Sequence, residues 1–155
     1  MIEHVALGID IGGTNTAYGL VNRQGEVLFE ESVTTTDYPD PEDLVDKIYS
    51  DVKKNGFLDN LLGLGVGAPN GNAFTGNIEF APNLKWKGVI PIAELFEQKF
   101  HRPALLANDA NAAAIGEHLF GNAKDLNDFV LITLGTGLGS GIFIKIGRAS
   151  CRERV

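Results

Sequence analysis

Apolar and polar positions along this chain change period several times, and each change marks an element. His4 to Ile9 is a short, nearly continuous apolar run, the pattern of a buried strand. After a glycine turn at Gly12-Gly13, Thr16 to Asn22 alternates, with Ala17, Gly19 and Val21 on one side and Tyr18 and Leu20 on the other. Gly25-Glu26 turns the chain again, and Val27 to Thr35 reads as a third strand, completing an antiparallel meander. Pro39-Asp40-Pro41 then opens a helix in which Leu44, Val45, Ile48 and Val52 recur at helical spacing, and Asn55-Gly56 stops it. Leu62 to Val66 is the next strand, followed by the polar loop Gly67 to Asn72. Pro91 opens a second helix with Ile92, Leu95, Phe96 and Phe100 on one face, and Pro103 to Ala107 is a strand. Asn108 or Asp109 caps an alanine-rich helix running to about Phe120. Phe129 to Thr133 and Gly139 to Ile144 form a hairpin-like pair around a second glycine turn. The order is strands first, then strands alternating with helices.

The C-terminal end changes how composition is read. Ile146 to Val155 spells IGRASCRERV, the direct translation of ATC GGA AGA GCG TCG TGT AGG GAA AGA GTG. That string resembles read-through into a sequencing-library adapter, the preceding A and G coming from the Lys145 codon. The expectation is that residues 146–155 are not native, and such a scar stays out of fold reasoning. The whole chain has 13 basic and 20 acidic residues; without Arg148, Arg152, Arg154 and Glu153 it has 10 and 19, a net charge of −9. An acidic chain with no basic run argues against nucleic acid or an anionic membrane as partner. The single cysteine, Cys151, lies in the scar, which leaves no disulfide, thiol nucleophile or cysteine metal site before it. No apolar run approaches the roughly 20 residues that span a bilayer. No signal peptide is read before Val5, so the expected location is cytoplasmic.

Three blocks carry candidate chemistry. The first is Asp10-Ile11-Gly12-Gly13-Thr14-Asn15-Thr16. Glycines that reach positive φ and lack a Cβ let backbone N–H groups close around an anion. Thr14, Asn15 and Thr16 add side-chain donors, and Asp10 can hold Mg²⁺ through water. The plain structural alternative is a glycine hairpin turn. The second block is Leu134-Gly135-Thr136-Gly137-Leu138-Gly139-Ser140-Gly141. It is no Walker loop, because no Gly-Lys-Ser/Thr follows, and its glycine spacing is wrong for a dinucleotide fingerprint. Paired with the first turn, it suggests a clamp on the β- and γ-phosphates from two sides.

The third block is Asn108-Asp109-Ala110-Asn111. A sugar hydroxyl is a poor nucleophile, and a carboxylate within hydrogen-bond reach can accept its proton during transfer. Asp109 is the candidate base, and Asn108 can bond a second hydroxyl. Helix capping is the structural alternative for both. Asn70-Gly71-Asn72 and Ala81-Pro82-Asn83-Leu84-Lys85-Trp86 are polar loops whose asparagines could simply support turns. His4, His101 and His118 show no mutual ligand spacing and read as surface or structural residues, while Trp86 reads as an amphipathic surface anchor.

Asp-Ile-Gly-Gly-Thr-Asn at 10–15, Ala-Pro-Asn-Leu-Lys-Trp at 81–86, Asn-Asp-Ala-Asn-Ala-Ala at 108–113 and Leu-Gly-Thr-Gly-Leu-Gly-Ser-Gly at 134–141 together resemble the ROK family of sugar kinases, nearest its bacterial glucokinase branch. The resemblance runs in order from Val5 to Ile144. It implies the α/β actin-like ATPase (ribonuclease H-like) fold, with two α/β domains closing on sugar and nucleotide. By that likeness residues 1–120 form a first domain that is nearly complete, residues 121–145 begin the second, and the chain is an N-terminal fragment.

The implied activity is ATP-dependent phosphorylation of glucose to glucose 6-phosphate, with the fragment itself inactive. Carried over by position, Asp10, Gly12, Gly13, Thr14 and Asn15 would serve phosphate and metal, and Gly135, Thr136, Gly137 and Gly139 would form the second phosphate loop. Gly71, Asn83, Asn108 and Asp109 would bind sugar, with Asp109 also the base. Many relatives carry Lys where this chain has Asn15. The implied cofactors are ATP and Mg²⁺; a structural zinc would belong to the part beyond Ile144. The implied partners are sugar and ATP, with a homo-oligomer at full length. The alternatives are a kinase for another hexose or an N-acetylhexosamine, and a sugar-responsive transcriptional repressor of the same family. The first strand begins within five residues of Met1, which disfavours the repressor.

Overall fold

The computed structural model describes residues 4–134 and 138–144. Its centre is a five-stranded mixed sheet in the order β3-β2-β1-β4-β7. Strands β1 (Val5–Ile11), β2 (Asn15–Asn22) and β3 (Val27–Thr34) are the antiparallel meander that the alternation predicts. Strand β4 (Leu61–Ala68) pairs parallel with β1, and β7 (Ala104–Asn108) pairs parallel with β4. Parallel neighbours need long crossovers. Helix α1 (Pro41–Lys54) supplies the first and α2 (Ile92–Phe100) the second.

Alternation decides which face these helices cover. In β1, Val5, Leu7, Ile9 and Ile11 are buried, while Ala6, Gly8 and Asp10 point the other way and are exposed. The buried set meets Leu44, Val45, Ile48 and Val52 of α1 and Ile92, Ala93, Phe96 and Phe100 of α2 in one core cluster. The α1 start has Pro at its first position, acidic Glu42 and Asp43 in the first turn, and Lys53 and Lys54 in the last, all in accord with the helix dipole. Helix α3 (Asp109–Phe120) crosses the opposite face. Between α3 and that face lies a groove of about 880 Å³, lined by residues such as Gly8, Gly19, Gly65, Leu105 and Ile115.

Two small hairpins complete the described chain. Strands β5 (Gly71–Asn72) and β6 (Asn77–Ile78) fold out of the loop that follows β4, an element the sequence pattern does not announce. Strands β8 (Asp128–Leu134) and β9 (Leu138–Ile144) pair antiparallel as a separate two-stranded sheet that packs on α3. The outer face of that hairpin exposes Val130, Ile132, Leu134, Ile142 and Ile144. Both faces of β8 are therefore apolar, the pattern of a strand covered on two sides.

The expectation for Trp86 is corrected. It is 7% exposed and lies in the core cluster, not on the surface. Its indole Nε1 donates to the carbonyl of Tyr38 at 3.0 Å, which satisfies the one polar atom that burial would otherwise strand. Thr35, expected as the end of β3, instead begins a one-turn 3-10 helix (Thr35–Asp37). Its hydroxyl turns inward for a purpose described next.

Candidate active site

The carboxyl ends of the three parallel strands meet at one edge of the sheet, the place where open α/β sheets bind ligands. Asp10 and the Gly12-Gly13 turn lie at the end of β1, Gly67 to Gly71 at the end of β4, and Asn108-Asp109 at the end of β7. The register aligns Asp10 with Gly67 and Ala68 with Asn108. Motifs separated by up to a hundred residues of chain thus become neighbours because parallel pairing puts like ends together.

The first glycine turn is held from beneath. Gly12 N–H donates to the Asn15 carbonyl at 3.0 Å, and the Thr35 hydroxyl donates to the Gly12 carbonyl at 2.8 Å. Thr35 N–H reaches the Thr14 carbonyl at 2.8 Å, and the buried Thr16 and Thr35 hydroxyls lie 2.8 Å apart. Thr16, expected as a side-chain donor to a bound anion, is instead fully buried with its hydroxyl against Thr35. Thr14 and Asn15 are exposed above the anchor.

Gly12 and Gly13 do not use positive φ, contrary to the sequence-based reason for glycine here; the left-handed glycines of the described chain are Gly25, Gly56, Gly76 and Gly88. Close approach is the reason instead. A Cβ on Gly12 would stand 2.7 Å from the Asn15 carbonyl oxygen. A Cβ on Gly13 would stand 2.7 Å from the Asn83 carbonyl oxygen and 3.0 Å from the Asn83 Cβ. The candidate phosphate turn and the candidate sugar residue Asn83 are therefore in contact. Leu84 and Trp86, buried on either side of exposed Lys85, fasten the Asn83 loop to the core, and Lys85 Nζ donates to the Thr36 carbonyl at 2.9 Å.

Gly71 is held by the same kind of close approach, whereas Gly67 has ordinary van der Waals room. A Cβ on Gly67 would lie 3.7 Å from both Asp10 Oδ1 and Asp109 Cα, so Gly67 is the floor between the two carboxyl-bearing residues. A Cβ on Gly71 would lie 2.6 Å from the Ala107 carbonyl oxygen, which brings the backbone at Gly71 against the end of β7. Gly67 was missed as a site residue; its signal is a residue without a side chain at the end of a buried strand. Asn70, in the left-handed region with φ 52°, donates through Nδ2 to the Phe80 carbonyl and ties the two polar loops together.

Of the two capping alternatives, Asn108 is the N-cap of α3: its Oδ1 accepts from Ala110 N–H at 3.1 Å. Asp109 is the first helical residue, and its Oδ1 accepts from the same N–H at 2.7 Å. The cap leaves Asn108 Nδ2 and Asp109 Oδ2 for other work. Asp109 is exposed. Asp10 is exposed as a residue, yet protein packs around its carboxyl. Partial burial, and secondly the negative charge of Asp109, push the Asp10 carboxyl above the usual carboxylate range.

Among the described residues no group of three or more His, Cys, Asp or Glu side chains is arranged to hold a metal. Mg²⁺ does not require one, since it keeps several waters and takes one or two carboxylates together with substrate phosphates. Asp10, whose charge is disfavoured where it stands, is the carboxylate that a hydrated cation at this edge would relieve. The groove beneath the edge is predominantly apolar in its lining, with the carboxyl-bearing residues Asp10 and Asp109 among the few polar ones. Gly139 lies in β9 opposite Thr133, with its missing Cβ directed at Thr133 Oγ1 and Ala110. Gly135, Thr136 and Gly137 lie outside the described residues. No described helix is long and apolar enough to cross a membrane.

A family profile described as "ROK family" matches residues 6–148. A glucokinase of Streptomyces coelicolor is 40% identical over 141 residues, covering 90% of this chain and 44% of the relative. A xylose repressor of Caldicellulosiruptor bescii is 38% identical over 144 residues, covering 89% of this chain and 36% of the relative. The crystal structure of a Streptomyces griseus glucokinase in complex with glucose and AMPPNP superposes with a TM-score of 0.79 at 38% identity, covering 91% of this chain and 45% of that one. The chain spans less than half the length of each of these relatives.

Proposed function

We propose, from the premise that this chain belongs to the ROK family, that the whole protein transfers the γ-phosphoryl group of ATP to the 6-hydroxyl of glucose. The fold is that of the ROK sugar kinases, the actin-like ATPase fold. The observation that carries the reading is the convergence at the sheet edge: Gly13 packs on Asn83, and Gly67 separates Asp10 from Asp109. A glycine turn, an amide and a carboxylate lie close together, which supports the reading because phosphoryl transfer to an alcohol needs an anion cradle, a hydroxyl partner and a base.

In this reading Asn83, Asn108 Nδ2 and the backbone at Gly71 hold sugar hydroxyls. Asp109 Oδ2 accepts the proton of the reacting hydroxyl as its oxygen bonds to phosphorus and the bond to ADP breaks. Backbone N–H groups from Gly13 to Asn15, on the turn that the Gly12 N–H closes, would cradle the phosphates together with Gly135, Thr136, Gly137 and Gly139. Asp10 is the residue that would hold a hydrated Mg²⁺, and such an ion would supply charge neutralisation for the phosphates. Residues 1–120 make the first domain and residues 121–145 start the second, while residues 146–155 are foreign. The whole protein is cytoplasmic and homo-oligomeric, and any zinc site belongs to the part beyond Ile144.

A second reading keeps the same site with another hexose or an N-acetylhexosamine, and a third makes the family's sugar site a sensor, which the xylose repressor relative supports. The test is to assay the complete protein with ATP and a panel of glucose, mannose, N-acetylglucosamine and N-acetylmannosamine. Glucose should give the highest kcat/KM. Preference for an acetylated sugar moves the assignment to the second reading. Tight sugar binding with no ADP release from any sugar refutes the kinase.

A further inference from the structure

We propose that the one-turn 3-10 helix Thr35–Asp37 holds the first glycine turn and the loop carrying Asn83 at a fixed spacing, which makes Thr35 and Trp86 positioning residues for phosphoryl transfer. The inference rests on the kinase reading above. Segments far apart in sequence close a triangle here. The glycine turn meets the Asn83 loop where Gly13 packs on Asn83. The other sides both run to the 3-10 helix, one through Thr35 and one through Lys85 and Trp86.

The Thr35 side sets the direction of backbone donors. A hydroxyl has one proton to give and lone pairs to receive another. The Gly12 carbonyl can only accept, so the Thr35 proton goes to it at 2.8 Å, and the Thr16 hydroxyl in turn donates to Thr35 at 2.8 Å. The Thr35 N–H donates to the Thr14 carbonyl, also at 2.8 Å. Thr35 thus grips both the Gly12-Gly13 and the Thr14-Asn15 peptide units of the turn. In a planar trans peptide the C=O and N–H point in opposite directions. Holding both carbonyls toward Thr35 therefore turns the N–H groups of Gly13 and Asn15 away from it. Those N–H groups are among the donors that the kinase reading assigns to phosphate. Thr16 and Thr35 are both buried, where a hydrogen bond is electrostatically stronger than in water.

The other side ties the Asn83 loop to the same helix. Trp86 Nε1 donates to the Tyr38 carbonyl at 3.0 Å, and Lys85 Nζ donates to the Thr36 carbonyl at 2.9 Å. Tyr38 caps the 3-10 helix, with its N–H bonded to the Thr35 carbonyl at 3.1 Å. Trp86 is buried in the core and Lys85 is exposed, so the indole is the stiffer tie. The position of Asn83 is thereby referred to the same turn of helix that aims the Gly13 N–H.

The test uses the complete protein. Thr35→Val keeps the shape of the side chain and removes the hydroxyl. The shift of the N–H groups should lower kcat on the order of 10²-fold at saturating substrates. Binding of a non-hydrolysable ATP analogue should weaken about tenfold in calorimetry. Glucose affinity without nucleotide should stay within about twofold, because the Asn83 loop keeps its own bonds. Thr35→Ser retains the hydroxyl and should restore both kcat and analogue binding. Trp86→Phe keeps a buried ring without the donor and should lower kcat about tenfold. Combining Trp86→Phe with Thr35→Val should lose no more than Thr35→Val alone, because either change releases the same spacing. Loss of thermal stability with unchanged kcat in either single variant would overturn the proposal. So would additive losses in the double variant, or a Ser variant as impaired as the Val one. If Thr35→Val does not fold, Trp86→Phe and hydrogen exchange carry the test. If the unsubstituted protein phosphorylates no sugar, the kinase reading fails separately, and the linkage is read by amide exchange alone. Trp86→Phe should speed exchange at the bonded N–H groups of Gly12 and Thr35, whereas faster exchange confined to the Asn83 loop would overturn it.

Discussion

Replacing Asp109 by Asn tests the proposed chemistry with the least disturbance to the fold. The Oδ1 atom that accepts from Ala110 N–H at 2.7 Å has a counterpart in Asn, and Asn108 caps the helix independently at 3.1 Å. The substitution therefore keeps both contacts at the start of α3. What changes is Oδ2, which becomes an amide that cannot take a proton. Loss of a general base costs on the order of 10²–10⁴-fold in rate, or about 2.7–5.4 kcal/mol of transition-state stabilisation. A second consequence is readable without turnover. Asp10 is raised first by burial and second by the Asp109 charge, so neutralising Asp109 should lower the Asp10 carboxyl toward its ordinary value without reaching it. The assays are ADP release by the complete protein with saturating sugar, and carboxyl titration of Asp10 by NMR. Stability should stay within about 0.5 kcal/mol, as for a surface substitution. A kcat within threefold of the unsubstituted enzyme would refute the assignment of the base. An unmoved Asp10 would refute the electrostatic link between the two strand ends.

Further outcomes follow from the same contacts. Gly13→Val should weaken nucleotide and sugar binding by comparable factors in calorimetry, because its Cβ would sit 2.7 Å from the Asn83 carbonyl; sugar affinity left intact would dissociate Asn83 from the site. Asp10→Asn should stabilise the chain at neutral pH: a carboxylate with a raised folded pKa destabilises above that pKa and is relieved as pH falls, so thermal melting that is lower at neutral pH than in the parent would contradict the raised value. At Asp51 burial pushes the carboxyl up, but hydrogen bonds from Lys47 and Tyr18 outweigh it and leave it below the usual range. Its stabilisation is present above the unfolded value and lost as pH falls through the folded one, so Asp51→Asn should flatten the acid side of the stability curve; an unchanged slope would count against it. Phe96→Ala removes a side chain with 0% exposure and should cost about 3–5 kcal/mol in urea unfolding; a loss below about 1 kcal/mol would mean that α2 is not docked as described.

The elements were legible because their periods are clean. The meander, α1 and α2 follow directly from alternation and from apolar spacing, and Pro41, Gly56 and Asn108 punctuate them where capping chemistry says they should. The miss at Trp86 has a plain cause. Lys85 and Lys87 flank it, and flanking charge in a loop looks like a surface, but the loop alternates so that Leu84 and Trp86 point inward together. The β5–β6 hairpin was invisible because two-residue strands carry no period. The candidate site was legible as residue types and not as geometry. Nothing in Gly13 or Asn83 separately says that they touch. The sequence-based reason for Gly13 was positive φ, whereas steric room for Asn83 is what this glycine supplies.

Capping alone does not account for Asp10 and Asp109. Capping α3 needs one acceptor, and Asn108 already provides it. A second carboxylate one residue later adds charge beside Asp10, which burial already disfavours in its ionised form. Nor does a turn require Asp10, because the first glycine turn is held by Thr16, Thr35 and its own backbone. Asp109 does accept a second hydrogen bond from Ala110 N–H, but its charge also disfavours the ionised form of Asp10. Such conflicts between local preference and the whole fold are expected where a site does chemistry. A proton, a hydrated cation or an arriving hydroxyl beside Asp10 is what would relieve this one.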